Sequence, residues 1–120
     1  MDVYECYKLE SLNISSFITP KVKSMAAMFV RCKSLTILDL SEFYTSQVIN
    51  VLNMFEGYSL TSLDLSKFNT SSINNMHAMF FNSKKLTSLN LSNFDFTKVT
   101  DIEYMFAGCS NLKYIKISNY

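Results

Sequence analysis

Apolar residues recur along the chain in blocks of about 26 residues, and each block has two halves. The first half has the spacing L-x-x-L-x-L, at Leu9, Leu12, Ile14; Leu35, Leu38, Leu40; Leu60, Leu63, Leu65; Leu86, Leu89, Leu91; Leu112, Ile115, Ile117. The second half carries Val22, Met25, Met28, Phe29; Val48, Val51, Met54, Phe55; Ile73, Met76, Met79, Phe80; Val99, Ile102, Met105, Phe106. Self-similarity at this period predicts a solenoid, in which each unit buries its apolar face against its neighbours.

The apolar period changes within each block, which separates strand from helix. Leu38-Asp39-Leu40 alternates apolar and polar residues, so the pattern predicts a strand with the aspartate facing outward. In the second half, Met25, Met28, Phe29 and Cys32 stand at i, i+3, i+4 and i+7, the spacing of one helix face. The residues just before such faces are typical N-caps, namely Ser24, Asn50, Asn75 and Asp101. The pattern therefore predicts four short helices.

Together these elements predict an α/β repeat solenoid of the leucine-rich-repeat kind, with parallel strands on one face and short helices on the other. We expect one repeat domain over residues 1–120. Its expected units are a partial repeat at 1–8, full repeats at 9–34, 35–59, 60–85 and 86–111, and a partial repeat at 112–120. One residue fewer separates Phe55 from Leu60 than Phe29 from Leu35, so that connection is shorter.

A column of aromatic residues follows the leucines of each block, at Phe17, Phe43, Phe68, Phe94 and Tyr120. We expect these rings to fill the corner between the two layers rather than to bind a ligand. The methionines and phenylalanines of the second half are expected to fill the core in the same way.

Composition and charge exclude several classes of partner. The chain has 11 Lys and Arg against 10 Asp and Glu, so it carries no electrostatic footprint for nucleic acid. No apolar run is long enough to span a bilayer, and we expect no direct membrane insertion. The first residues lack the basic and apolar regions of a secretory signal, and both ends fall inside a block, so the chain is expected to be a segment of a longer array.

Side chains for catalysis or metal binding are sparse, so we expect no enzyme, no cofactor and no metal. The one histidine, His77, is expected to lie off the buried face and in solvent. The cysteines at 6, 32 and 109 share a column with Tyr58 and Ser83, which indicates a packing position rather than a ligand set. We expect Cys6 and Cys32 to stay reduced.

Several motifs give the chain a resemblance to a known family. They are clearest in Leu63-Asp64-Leu65-Ser66-Lys67-Phe68-Asn69-Thr70-Ser71-Ser72-Ile73 and in Met105-Phe106-Ala107-Gly108-Cys109. Blocks of this kind resemble the BspA-like, mycoplasma-lipoprotein type of leucine-rich repeat over nearly the whole chain. The resemblance implies a cell-surface or secreted location as part of a longer chain, with adhesion or host-protein binding as the function. Pro20, Phe96, Tyr58 and Ser83 depart from the family pattern at individual turns.

The outward side of the predicted sheet is the candidate interaction surface. We call its residues the outward columns, and they comprise Ile37, Ser62, Ser88 and Tyr114 beside Asp39, Asp64, Asn90 and Lys116. We expect these columns to bind a host or matrix protein, with a glycan as the less favoured ligand, and the two ends to associate with one another. The alternative is a structural spacer that holds another domain away from a cell surface.

Overall fold

The fold is seen in a computed structural model that describes residues 11–13, 22–33, 35, 37–41 and 45–118. Its strands are β1 (Ser11–Asn13), β2 (Ile37–Asp39), β3 (Ser88–Leu91) and β4 (Tyr114–Ile117). β1 pairs in parallel with β2, and β3 pairs in parallel with β4, so the described strands form two separate two-stranded sheets.

The predicted fold class, an α/β solenoid of leucine-rich-repeat kind, is wrong. Over the described residues there is no helix, and the strands are only three or four residues long. The described residues therefore contain no helix that could cross a membrane. The radius of gyration is 13.3 Å, close to the roughly 14 Å expected for a globular domain of this length. The chain is therefore compact rather than an extended two-layer array.

Consecutive turns take the place of the four predicted helices. We call these stretches turn segments, and they span residues 24–31, 50–57, 75–82 and 101–108. Alternate amides in each of the first three segments donate to carbonyls of the next one, about 25 residues further along the chain. For example, Phe29 N donates to Met54 O at 2.9 Å, and Phe55 N donates to Met79 O at 2.8 Å. The turn segments are therefore joined side by side by their backbones.

Left-handed residues explain why a helix-like sequence forms turns here. Every turn segment has two residues with positive φ, at Ala27, Arg31; Asn53, Gly57; Ala78, Asn82; Tyr104, Gly108. A left-handed residue interrupts the helical run and turns alternate amides outward, where the next segment accepts their bonds. An L-residue with a side chain pays roughly 1 to 2 kcal/mol for this conformation. The bonds between segments, which no local pattern reveals, offset that cost.

The predicted N-cap residues do accept backbone bonds, although no helix follows them. Asn50 Oδ1 accepts from Leu52 N at 2.9 Å, and Asn75 Oδ1 accepts from His77 N at 2.9 Å. Ser24 and Asp101 make the equivalent bonds to Ala26 N and Glu103 N. The side chain thus satisfies an amide two residues ahead, as in an Asx turn, so the acceptor role is confirmed while the helix is not.

Most members of the predicted inward columns form the core over the described part of the chain, but Ile102 and Ile117, which were also expected to face inward, are exposed. The leucines Leu35, Leu40, Leu63, Leu65, Leu86, Leu89 and Leu91 are buried, as are Met25, Met28, Met54, Met76, Met79 and Met105. Phe68 and Phe94 are also buried, whereas Phe17, Phe43 and Tyr120 lie outside the described residues. The core is therefore assembled from the apolar columns that the sequence indicates.

Parallel ring stacking occurs in the phenylalanines of the turn segments. Phe29, Phe55, Phe80 and Phe106 stand one behind another with ring centroids 5.6 to 5.7 Å apart. Their planes are nearly parallel, with angles of 12°, 7° and 3° between successive rings. This column runs through all four turn segments and fixes their spacing.

The two sheets are separated by residues 60–65, which form no strand. Here the Tyr58 hydroxyl donates to the carbonyl of Ser62 at 3.3 Å. Tyr58 itself stands in the shorter connection between Phe55 and Leu60. Its side chain therefore engages a carbonyl that would otherwise be available to a neighbouring strand.

Candidate functional site

The outward columns lie on both sheets and on the stretch between them. Ile37 and Asp39 belong to β2, where their backbones are in register with Ser11 and Asn13. In the second sheet, Ser88 is in register with Tyr114, and Asn90 with Lys116. Ser62 and Asp64 lie between the sheets and outside any strand. The predicted continuous sheet is therefore interrupted in the middle of the candidate surface.

Most side chains of the outward columns face solvent. Asp39, Asp64, Asn90 and Lys116 are exposed, and so is Ser62. Tyr114 is 66% exposed, which is high for a large aromatic residue, while Ser88 is partly buried. Because Leu65, Leu89 and Leu91 beside them are buried, the alternation of facing that the sequence predicts is present here.

The acidic residues of this surface also hold the backbone in place. Asp39 Oδ1 accepts from Ser41 N at 2.9 Å, and Asp64 Oδ1 accepts from Ser66 N at 2.9 Å. Asn90 makes the same bond to Ser92 N at 3.0 Å. Replacing these aspartates by lysine would therefore break a turn as well as reverse a charge. Asparagine retains the bond, as the native Asn90 shows.

Hydrogen bonds from the following serine lower the pKa of both carboxyls. The side chain of Ser41, and then its backbone amide, hold the pKa of Asp39 below its ordinary value. Ser66 lowers the pKa of Asp64 in the same way, whereas the negative charge of Asp39 raises it. The positive charge of Lys67 also lowers the pKa of Asp64, so two carboxylates and one nearby cation lie at this end of the outward columns, and Lys116 lies at the other.

A separate cluster of ligating groups lies on the turn segments. His77 Nδ1 stands 3.2 Å from Asp101 Oδ1, and Glu103 brings a third ligating atom within 4.8 Å. The His77 ring also packs edge to face on Tyr104, with centroids 5.7 Å apart. His77 was expected to be free in solvent, yet its side chain is only 28% exposed and paired. His77 and Asp101 are 24 residues apart, close to the block length of about 26 residues, and this near-match of spacing was the sequence signal for the contact.

These three side chains include the nitrogen and oxygen ligands that a divalent metal such as zinc accepts. Their arrangement is also accounted for without one. Asp101 Oδ1 accepts from the Glu103 amide just as Asn75 Oδ1 accepts from the His77 amide in the preceding turn segment. Hydrogen bonds from Glu103 N and from His77 lower the pKa of Asp101, whereas desolvation raises it. The cluster therefore has a structural role in joining two turn segments.

The cysteine column forms cross-segment hydrogen bonds. Ser83 Oγ donates to Phe55 O at 2.8 Å, and Cys109 Sγ donates to Phe80 O at 3.0 Å. Burial raises the pKa of the Cys109 thiol. Cys32 is buried and forms no disulfide, as expected, whereas Cys6 lies outside the described residues. The serine and the cysteine of this column thus both donate to a backbone carbonyl of the preceding turn segment, which supports a structural role.

Comparison with known proteins places the chain in a family. The family described as "Mycoplasma protein of unknown function, DUF285" matches residues 2–120. The chain belongs to this family. No curated protein and no solved structure matches it. Membership of a mycoplasma family agrees loosely with the resemblance to mycoplasma surface proteins. It does not show that the chain is a BspA-like leucine-rich repeat.

Proposed function

We propose that this DUF285 chain is a non-enzymatic protein-binding module that acts through its outward columns. The proposal includes a cell-surface or secreted location, for which the sequence resemblance to BspA-like surface proteins is the support. The observation that carries the proposal is the set of solvent-facing side chains of Asp39, Asp64, Asn90, Tyr114 and Lys116, of which the first three stand beside buried leucines. These side chains can contact a partner while the side chains of the core stay in place.

The chemistry of this row favours a protein partner with a basic patch and an apolar recess. Asp39 and Asp64 lie close enough for their charges to interact, so together they present an acidic patch. At the other end, the exposed Tyr114 ring offers contact area of the kind that anchors protein interfaces. Lys116 in the same sheet adds one positive charge beside it.

The test uses variants that change the surface and spare the turns. Asp39→Asn with Asp64→Asn removes two charges while keeping the amide acceptors, and Tyr114→Ala removes the exposed ring. The control is Asp95→Asn, which removes one charge at a turn outside the outward columns, where Asp95 Oδ1 accepts from Thr97 N at 2.9 Å. Circular dichroism should show that all variants retain the wild-type fold.

Binding is measured by biolayer interferometry against purified fibronectin, laminin and collagen. We expect the wild type to bind at least one of these, and both surface variants to weaken that binding by about tenfold or more. The control should bind like the wild type. Binding that is insensitive to both surface variants would assign the contact to another face, and failure of the wild type to bind any of the three would refute matrix-protein adhesion.

A further inference from the structure

The side chains of His77, Asp101 and Glu103 meet where the third and fourth turn segments lie side by side. Backbone bonds on both sides of His77 fix these two segments against each other. Met76 N donates to Asp101 O at 2.9 Å, and Ala78 N donates to Glu103 O at 2.9 Å. The three ligating groups therefore stand on backbones that are held in register, which a site of defined geometry requires.

The spacing of the three groups suits ligands of a single metal ion. Two ligands about 2.1 Å from one zinc ion are about 3.4 Å apart in tetrahedral geometry and about 3.0 Å apart at a right angle. His77 Nδ1 and Asp101 Oδ1 are 3.2 Å apart, which lies within this range. One ligating atom from each of the three residues lies within 4.8 Å of the other two. Rotation of the exposed Glu103 side chain can close the remaining distance.

The ligand set does not follow from the repeat itself. In the preceding pair of turn segments, the positions of His77, Asp101 and Glu103 are held by Leu52, Asn75 and His77. Leucine offers no ligating atom at all. Asn75 accepts the amide two residues ahead just as Asp101 does, so the turn alone does not require a carboxylate. The two carboxylates beside the imidazole are therefore particular to the third and fourth segments.

We propose that His77, Asp101 and Glu103 bind one divalent metal ion of the zinc class, which joins the third and fourth turn segments. An imidazole with two carboxylates suits this class better than magnesium or calcium, which prefer oxygen ligands alone. The metal takes the place of the proton between His77 Nδ1 and Asp101 Oδ1, and the neutral ring carries its proton on Nε2. Three protein ligands leave one tetrahedral position for water.

Neighbouring groups orient two of the three ligands. Asp101 Oδ1 accepts from Glu103 N at 2.9 Å, and a carboxylate has further lone pairs for a metal. The His77 ring packs edge to face on Tyr104, with centroids 5.7 Å apart. Contacts of this kind fix the orientation of the ligands in metal sites. The hydrogen bonds that account for the metal-free cluster therefore also pre-organise it for the metal, which lowers the cost of binding.

Isothermal titration calorimetry of the full chain with zinc chloride tests the site, and we expect one zinc ion per chain. Asp101→Asn and Glu103→Gln should each raise the dissociation constant by about tenfold or more, since each removes a charged ligand. Asparagine at position 101 still accepts the Glu103 amide, so the circular dichroism spectrum should stay that of the wild type. The control Asp95→Asn removes a carboxylate that bonds Thr97 instead, and it should bind zinc like the wild type. Equal weakening by the control, or unchanged binding by the two site variants, would overturn the proposal.

Proton NMR reports on the imidazole directly, because His77 is the one histidine of the chain. Zinc should shift its ring resonances and saturate at one equivalent. Thiolates also bind zinc, so Cys109→Ser serves as a second control and should leave this shift unchanged. Zinc binding without a shift of the His77 ring would assign the ion to a thiol and refute the site. A shift that persists at the same zinc concentrations in Asp101→Asn and Glu103→Gln would show an adventitious ion on a lone histidine only.

A metal that joins two turn segments should also stabilise the fold. Zinc should raise the melting temperature of the wild type, EDTA should reverse the rise, and magnesium at the same concentration should have no effect. The rise should be absent in Asp101→Asn. An equal rise with magnesium, or in that variant, would contradict the proposal. None of these variants changes a residue of the outward columns, so this site and the proposed adhesion function can each fail alone.

Discussion

Short polar side chains that accept a bond from the amide two residues ahead recur throughout this chain. They occur in the outward columns at Asp64, in the turn segments at Asn75, and after β3 at Asp95. Each satisfies a backbone donor that no helix or strand engages. At the scale of the residue, these bonds replace the regular backbone hydrogen bonds that the short strands do not supply. Where the acceptor is a carboxylate, the same bond makes stability depend on pH.

Asp95 is the clearest case for a pH test. The Thr97 hydroxyl donates to its carboxylate at 2.6 Å, and this bond, followed by that of the Thr97 amide, lowers the pKa of Asp95 from its ordinary value of 3.8. A carboxyl whose folded pKa is depressed stabilises the fold above the unfolded pKa and loses that contribution as the pH falls through the folded pKa. We therefore expect Asp95→Asn to lower the melting temperature near neutral pH, and the difference from wild type to disappear as the pH falls through the lowered folded pKa of Asp95.

Asn69 provides the reverse experiment. It stands at the equivalent position one block earlier and accepts from Ser71 N at 3.0 Å and Ser71 Oγ at 2.7 Å. Asn69→Asp should raise the melting temperature near neutral pH and lose that gain in acid. Melting curves followed by circular dichroism between pH 2 and pH 7, about the range where carboxyls titrate, check both variants. A difference between Asp95→Asn and wild type that stays constant across this range would contradict the assignment to the charge.

Successive turns of the chain are joined at the element scale by buried hydroxyls. Thr45 Oγ1 donates to Asn69 O at 2.8 Å and accepts from Asn69 N at 2.8 Å, so one side chain satisfies both backbone groups of one residue. Thr70 accepts from Asp95 N at 2.8 Å in the same manner. Both threonines are at most 2% exposed. Phe96 occupies the equivalent position in the next block and has no hydroxyl. Its ring instead packs against Phe94, with the ring centroids 5.8 Å apart.

Removing one of these hydroxyls should therefore be costly. Thr45→Val keeps the shape of the side chain but removes the partner of both the amide and the carbonyl of Asn69, in bonds that are partly buried. We expect a loss of about 1 to 3 kcal/mol in the free energy of unfolding, measured by urea denaturation. The control Thr87→Val removes an exposed hydroxyl, which stands 3.4 Å from Thr61 O, and should change stability by less than about 0.5 kcal/mol. Equal effects of the two changes would refute the role of the buried bonds.

For the whole molecule, the difference between middle and end decides where substitutions matter. Leu65 lies in the core and is 2% exposed, whereas Ile117 in β4 is 60% exposed. Leu65→Ala should cost about 2 to 5 kcal/mol, because its neighbours cannot collapse around the cavity. Ile117→Ala should cost less than about 1 kcal/mol in the monomer. Urea denaturation at low protein concentration measures both free energies of unfolding, and similar costs would show that Ile117 is as well covered as Leu65.

Sequence periodicity determined which side chains face inward and which face out. The alternation around Leu65 and Leu91 and the burial of Met54 and Phe80 follow from local spacing, and the structure confirms them. The acceptor residues that precede the turn segments were also identified from their type alone, through Asn50 and its equivalents. Facing and capping depend on neighbours within a few residues, so the sequence carries that information directly.

Tertiary structure decided what the periodicity could not. The spacing of Met25 and Phe29 suits a helix, but Phe29 N finds its acceptor in Met54, and Ala27 takes a left-handed φ of 58° to allow it. The pairing of His77 with Asp101 likewise joins two turn segments. Helix formation is a local preference worth tenths of a kcal/mol per residue, whereas each bond between segments satisfies a backbone group that burial would otherwise leave costly. The choice between helix and turn was therefore made by partners about 25 residues away, which no local pattern encodes.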